Sequence, residues 1–241
     1  MSLKEMIFKR KSVRSFVNAP IGPKTIAMIE KFISEIKPLY PDIKVKAEIV
    51  DRDAVKCICP WTTKQLVAVF TEDKPGAMEN VGFMFQQLDL YLHSLGLGSC
   101  WLGMGKMDAR AAKTPEGLRF VMLLAFGYPK EPVLRTDKRE FKRKSLLQIS
   151  DREDPRLEPA RLAPSSVNSQ PWYFVHEDET IHIYCAMRGL VSKTALGDMN
   201  RIDIGIALAH LFVSNPDSFR FFRQESAPEV KHYLYLGSFR F

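Results

Sequence analysis

The sequence has little cysteine and no long apolar run. Its 241 residues include four cysteines, Cys57, Cys59, Cys100 and Cys185. That is too few to staple a disulfide scaffold. No CxxC pair or His/Cys cluster has the spacing of a zinc site, so no metal is expected. The longest apolar run, Phe120 to Phe126, is seven residues, whereas a bilayer-spanning helix needs about twenty. Membrane partners are therefore not expected. No signal-peptide pattern opens the chain, and with sparse cysteine this fits a reducing cytoplasm. There is no zinc-finger spacing, RNP-like motif or basic stripe interleaved with aromatics, so nucleic acid is not an expected partner. The five histidines are scattered; they form neither a triad nor a ligand set, and no catalytic side chain is nominated.

What is present is an ordinary globular composition: 46% hydrophobic, 26% charged and 11% aromatic residues. Disordered, collagen-like and low-complexity classes are excluded. The formal charge of +7 is concentrated in two places. Lys9, Arg10, Lys11 and Arg14 form one cluster, and residues 135–144 hold six basic and two acidic side chains. Localised positive charge attracts anions, phosphate among them, although a solvated basic face has the same composition.

The hydropathy pattern alternates between helices and strands. Residues 23–37 read as a helix with Pro23 in the first turn and Ile26, Ile29, Ile33 and Ile36 on one face. Residues 65–70 read as a buried strand. Residues 78–96 read as an amphipathic helix through Met78, Val81, Phe85, Leu88, Leu92 and Leu95, stopped by Gly96. Residues 119–128 read as a central strand, apolar on both faces. The series then restarts. Phe-Lys-Arg-Lys-Ser occurs at 8–12 and again at 141–145. The helix at 23–37 is echoed weakly by 155–163, and Pro60-Trp61 by Pro171-Trp172. Strand 65–70 is echoed by 180–185, helix 78–96 by 195–213, and strand 119–128 by 232–240. The common order points to an internal duplication, with halves at 1–140 and 141–241 packed as two subunits of a dimer would be.

Three segments carry candidate chemistry. In Arg10-Lys11-Ser12-Val13-Arg14, alternation in an extended stretch puts Arg10, Ser12 and Arg14 on one side, a set suited to phosphate. The bland alternative is an exposed basic turn. Ala163-Pro164-Ser165-Ser166-Val167-Asn168-Ser169-Gln170-Pro171-Trp172 offers hydroxyls and two amides, groups that suit the edge of a heterocycle or a ribityl chain. The same residues also populate ordinary turns. Gly96-Leu97-Gly98-Ser99-Cys100-Trp101-Leu102-Gly103 lets backbone amides approach a planar ligand, or simply makes a tight connection between a helix and a strand. It is not a dinucleotide fingerprint.

Together these segments resemble the FMN-dependent nitroreductase family. RKSVRSF resembles the family's Arg-x-Ser-x-Arg motif, and APSSVNSQPW its Ala-Pro-Ser-x-x-Asn-x-Gln-Pro-Trp loop. GLGSCWLG and FGYP resemble its Gly-Leu-Gly-x-x-Trp-x-Gly segment and Gly-Tyr-Pro strand end, and DIGIALAHL its central helix. One departure stands out: the loop comes after the Gly-Tyr-Pro strand, while the corresponding place in the first half reads KCICPW. The second half also lacks a full Arg-x-Ser-x-Arg motif and a Gly-Leu-Gly-x-x-Trp.

The resemblance implies an α/β (α+β type) fold of three α/β/α layers with mixed or antiparallel sheets. It also implies a single chain acting as a pseudo-dimer with one composite flavin site; a further homodimer stays open. Carried over residue by residue, it places Arg10, Lys11 and Ser12 at the FMN phosphate and ribityl end and Arg14 near the N1–C2 carbonyl. Pro164, Ser165, Ser166, Asn168 and Gln170 come from the other half, Leu102 and Gly103 lie near N5, and Arg143 and Lys144 make a second basic contact to phosphate. The implied activity passes hydride from NAD(P)H through flavin to an electron-poor small molecule such as a nitroaromatic or a quinone. A flavin-binding protein without turnover is the alternative.

Overall fold

The computed structural model describes residues 1–57, 63–108, 114–187 and 195–241. Pro60 and Trp61, half of the expected Pro-Trp echo, lie outside the described residues. Two compact units are present: residues 1–77 with 87–137, and residues 78–86 with 138–241.

The first unit begins with α1 (Leu3–Ile7) and α2 (Pro23–Glu35). Next come β1 (Val45–Asp51), β2 (Val55–Cys57), β3 (Gln65–Thr71) and α3 (Ala77–Ser94). β4 (Gly98–Leu102), β5 (Gly105–Met107) and β6 (Arg119–Gly127) complete it. Pro23 opens α2 where its missing N–H costs nothing. Ile29 and Ile36 are buried and Ile26 and Ile33 half-buried, as the spacing requires. The sheet runs β1-β3-β6-β4 with every pair antiparallel. One face of its inner strands contributes Leu66, Ala68, Phe70, Leu123 and Ala125 to a core that Leu102 joins. Removing a side chain such as Phe70 from water contributes about 1.5–3 kcal/mol. β2 and β5 form a separate two-stranded ribbon.

The second unit contains α4 (Leu146–Ile149), α5 (Glu158–Arg161), β7 (Trp172–Glu177) and β8 (Thr180–Ala186). It continues with α6 (Ala195–Ser214), β9 (Arg220–Phe222) and β10 (Tyr233–Arg240). Its sheet order is β7-β8-β10-β9, again antiparallel throughout. In each four-stranded sheet two strands precede the long helix and two follow it. The strand just after the helix lies at the edge, and the last strand lies inside. The sheets are therefore antiparallel rather than mixed, an α+β arrangement. The helix expected over 155–163 is instead a single 3₁₀ turn at Pro155–Leu157 followed by α5. Pro155 and Pro159 each begin a turn there and prevent one continuous helix.

The two long helices depart from their expected amphipathic stripes. α3 is buried on nearly every face, and α6 is buried without interruption from residue 202 to residue 211. A helix with no wet face must pair its polar groups internally. In the second unit, Glu79 Oε1 meets Arg201 Nη1 at 2.7 Å, and Gln86 Nε2 lies 3.0 Å from His210 Nε2. Residues 78–86 of α3 approach α6 closely: a Cβ on Gly82 would strike the Ile202 carbonyl, and one on Gly205 the Glu79 carbonyl. Among the described residues, no helix is long and apolar enough to cross a membrane, and no cluster of His, Cys, Asp or Glu could hold a metal.

Candidate functional site

The second unit contains a loop built for precision. Between α5 and β7, residues 163–171 run through a 3₁₀ turn at Ser166–Asn168. Val167, Asn168 and Gln170 have φ of +47°, +57° and +49°. Asn tolerates this region, but a β-branched Val does so only under constraint, at a cost on the order of 1–3 kcal/mol. The constraint is visible in the hydrogen bonds. Ser166 N–H donates to both carboxyl oxygens of Asp203, at 3.0 and 3.1 Å. Gln170 N–H donates to Ser165 Oγ at 2.9 Å.

The basic segment 142–144 closes the other side of the loop. Arg143 donates through Nε to the Ala163 carbonyl (3.0 Å) and through Nη1 to the Phe141 carbonyl (2.8 Å) and Asn168 Oδ1 (2.6 Å). Asn168 Nδ2 donates to the Lys142 carbonyl at 3.1 Å. Lys144 N–H donates to Gln170 Oε1 at 2.8 Å, and Lys144 Nζ donates to the carbonyls of Ser169 and Gln170, both at 3.0 Å. Burial lowers the Lys144 pKa.

Beside this loop is a cavity of about 660 Å³. Lys144, Ser166, Ser169 and Gln170 line it together with Asn200, His232 and Tyr233. Its size falls within the ordinary range for small-molecule sites, about 300–1,000 Å³. Asp203, only 3% exposed, is pushed up to about 8, chiefly by burial, against the opposing hydrogen bonds from Ser166 and Ser169. At neutral pH its carboxyl is mostly protonated, so it holds the loop without placing a full negative charge beneath it.

Of the expected site residues in this unit, Ser166 and Lys144 line the cavity, Asn168 is exposed, and Ser165 is half-buried. Pro164 is buried. Gln170 is only 4% exposed and its amide is engaged at both ends, to Lys144 N–H and to the Asn168 carbonyl (3.1 Å). It is therefore a strut of the loop. The two amides expected to face a ligand are largely occupied in tying the loop to residues 142–144.

In the first unit the basic motif is docked differently. Arg10 is 1% exposed. Its Nε lies 2.9 Å from Asp89 Oδ2, off the hydrogen-bonding direction, and its Nη2 donates to Asp89 Oδ1 at 3.3 Å and to Ser12 Oγ at 3.4 Å. His93 Nε2 lies 2.9 Å from the Lys11 carbonyl, and burial is the first cause of its lowered pKa. Ser99 Oγ donates to Asp89 Oδ1 at 2.6 Å. Val13 N–H donates to the Ser99 carbonyl at 2.9 Å.

The buried positions are Arg10, Val13 and Phe16, a step of three, while Arg14 is exposed. The expected alternation of Arg10, Ser12 and Arg14 on one side is thus corrected. Arg10 and Ser12 meet, but Arg10 faces inward because Asp89 draws it there.

The glycine-rich segment is also more structural than expected. Gly96, at φ +78°, ends α3, and its N–H donates to the His93 carbonyl at 3.0 Å. A Cβ on Gly98 would lie 2.7 Å from the Val13 side chain. Leu102 is buried in the core, and Gly103 sits exposed in the turn after β4. Asp89 and Asp203 are not among the residues that the sequence motifs single out. The available signal was a polar residue set within an apolar helical run, as in Leu88-Asp89-Leu90 and Ile202-Asp203-Ile204.

A family model described as "Putative TM nitroreductase" matches residues 2–215. The chain belongs to this nitroreductase family. A Thermotoga maritima structure, described likewise as a nitroreductase, superposes with a TM-score of 0.66 at 20% identity. That match covers 99% of this chain and 92% of the other. A nitroreductase family protein from Clostridium difficile 630 matches with a TM-score of 0.50 at 14% identity, over 62% of this chain and 96% of that one. At these identities the likeness establishes the nitroreductase fold. No curated protein matches.

Proposed function

We propose that this nitroreductase-family chain binds FMN and passes hydride from NAD(P)H, through the flavin, to an electron-poor small molecule such as a nitroaromatic or a quinone. The observation that carries this reading is the strained loop 163–171, held rigid beside a cavity of suitable size, in a chain of that family. The donor set fits a polar heterocycle bearing a phosphate, because Ser166, Ser169, Asn200 and Lys144 bring hydroxyl, amide and basic groups to the cavity lining.

In the second unit, Ser165, Ser166, Asn168 and Lys144 would hold the cofactor, with Pro164 and Gln170 fixing the backbone that presents them. In the first unit, Lys11, Ser12, Arg14 and the backbone of Leu102 and Gly103 are the remaining candidates. Arg10 and Arg143 act by holding their segments in place. FMN supplies the redox chemistry when bound. Loop rigidity lowers the entropy lost on binding, since the strained conformers are already set before the ligand arrives. Asp203, protonated at neutral pH, keeps the loop in register without repelling a phosphate. The shared strand order of the two units supports descent from one duplicated half.

The test is the visible spectrum of the purified chain after FMN addition and desalting. Retained flavin bands, bleached by NAD(P)H and restored by a quinone, are the expected result. Asn168→Asp, which sets a new carboxylate in the loop, should weaken FMN retention about tenfold or more. A wild-type chain that retains no FMN overturns the reading. Retention without bleaching favours a binding protein lacking turnover.

A further inference from the structure

A second basic site lies in the first unit, where Lys56 and Cys57 open the KCICPW segment and Met104 follows Gly103. In the β2–β5 ribbon, Lys56 and Lys106 stand directly opposite one another in the antiparallel register. The alternate positions face inward: Val55 is buried in the core, and Cys57 and Met107 pack against it. Lys56 and Lys106 therefore share the outer face, where both are exposed. Like charges placed directly across a ribbon repel and destabilise the pair.

A third cation adds to the repulsion. Arg52, Lys56 and Lys106 line one open groove of about 650 Å³ with Val55, Cys57 and Met104. Arg52 is held in place by donating to the Val55 carbonyl at 2.7 Å and the Cys57 carbonyl at 3.5 Å. Lys56 meets Asp108 at 3.1 Å, and this is the one carboxylate ion pair the described residues give these three cations. Asp51 and Asp53 flank Arg52 in sequence and share a second groove with it, lined also by Asn18, Lys64 and Gln65. Among the described residues, none that lines the cationic groove is a carboxylate. Beside the charges is an apolar surface, Met104, which is 62% exposed.

We propose that the outer face of the β2–β5 ribbon is a binding site for the phosphate group of a small molecule, held by Arg52, Lys56 and Lys106. An anion between the two lysines converts their repulsion into two charge-assisted contacts. A fixed guanidinium adds a directional one. Met104 offers contact to an organic portion. This site is independent of the flavin reading.

Isothermal titration of the full chain with inorganic pyrophosphate and with ADP tests the proposal. Both probes should bind, and affinity should fall as salt rises. Tighter binding of ADP identifies an organic phosphate as the better occupant, and equal affinity identifies the phosphate alone. Lys106→Glu should weaken both probes at least about tenfold. In phosphate-free buffer it should also raise the thermal midpoint by about 2 °C, because an opposite-charge pair replaces a like-charge pair. Lys56→Gln provides a second, milder loss of affinity should Lys106→Glu fold poorly. Absence of binding to the wild-type chain, or equal binding by wild type and both variants, overturns the proposal.

Discussion

The pentapeptide Phe-Lys-Arg-Lys-Ser occurs twice in this chain, and its two copies do different physical work. At 8–12, Arg10 is sealed from water against the carboxylate of Asp89. At 141–145, Arg143 is half-buried and hydrogen-bonds to the loop that it borders. It spreads three donors over two carbonyls and the Asn168 amide. The serines differ as well. Ser12 accepts from Arg10, whereas Ser145 caps α4 in a box with Gln148. A buried ion pair is an all-or-none device, because either partner alone is a stranded charge. A set of neutral acceptors is incremental, because each lost contact costs little and water can replace some of it. The first copy therefore locks its segment to α3, and the second adjusts a loop beside a cavity.

This contrast sets the expected sizes of three perturbations. Asp89→Ala strands the Arg10 guanidinium in the interior and should lower stability by about 3–5 kcal/mol in urea unfolding. Adding Arg10→Met to it should recover part of the loss, since no unpaired charge then stays buried. A double variant as unstable as Asp89→Ala would mean that the pair is not the lock described here. Arg143→Ala removes partially hydrated contacts and should cost about 1–2 kcal/mol in the same assay. A loss as large as that of Asp89→Ala would erase the distinction between the two copies.

In acid the smallest change of the series is expected from Asp203→Asn, and that change grows as pH rises. Asp203 is one of the second unit's buried carboxyls, and it meets the Ser166 N–H where Asp89 meets a cation. Its pKa is raised from 3.8 to about 8. Between these values the folded chain holds a proton that the unfolded chain has released. Its contribution is therefore fully present below pH 3.8 and is lost as pH rises toward about 8. The asparagine variant should match wild type near pH 4 and gain on it progressively up to about pH 8. Parallel profiles of midpoint against pH would show that the Asp203 carboxyl is ionised throughout.

Several elements were legible in the sequence because their signals are local. α2 follows Pro23 and its isoleucines. α3 ends at Gly96, where a left-handed residue closes the helix. β6 is apolar on both faces because both are covered, residues 122–127 being buried in succession. The loop 163–172 and its motif were likewise plain. Their chemistry was less so. The carboxamide of Gln170 reads as a ligand contact by composition, yet it bonds to Lys144 N–H, 26 residues away. The full burial of α3 and α6 was also hidden. Periodicity reports the strongest apolar face of a helix, and it is silent when polar residues such as Gln86 and His210 satisfy one another inside.

By itself the sequence determined the alternation of elements, the doubled basic pentapeptide and the motifs that mark the family, since each is written in neighbouring residues. The tertiary structure alone decided which charges remain available. Arg10 and Arg143 are the same residue in the same pentapeptide, but availability depends on burial and on the nearest opposite charge. For Arg10 that charge is Asp89, 79 positions along the chain. Electrostatic energy follows distance in space and the surrounding dielectric, and neither is a local property of the chain.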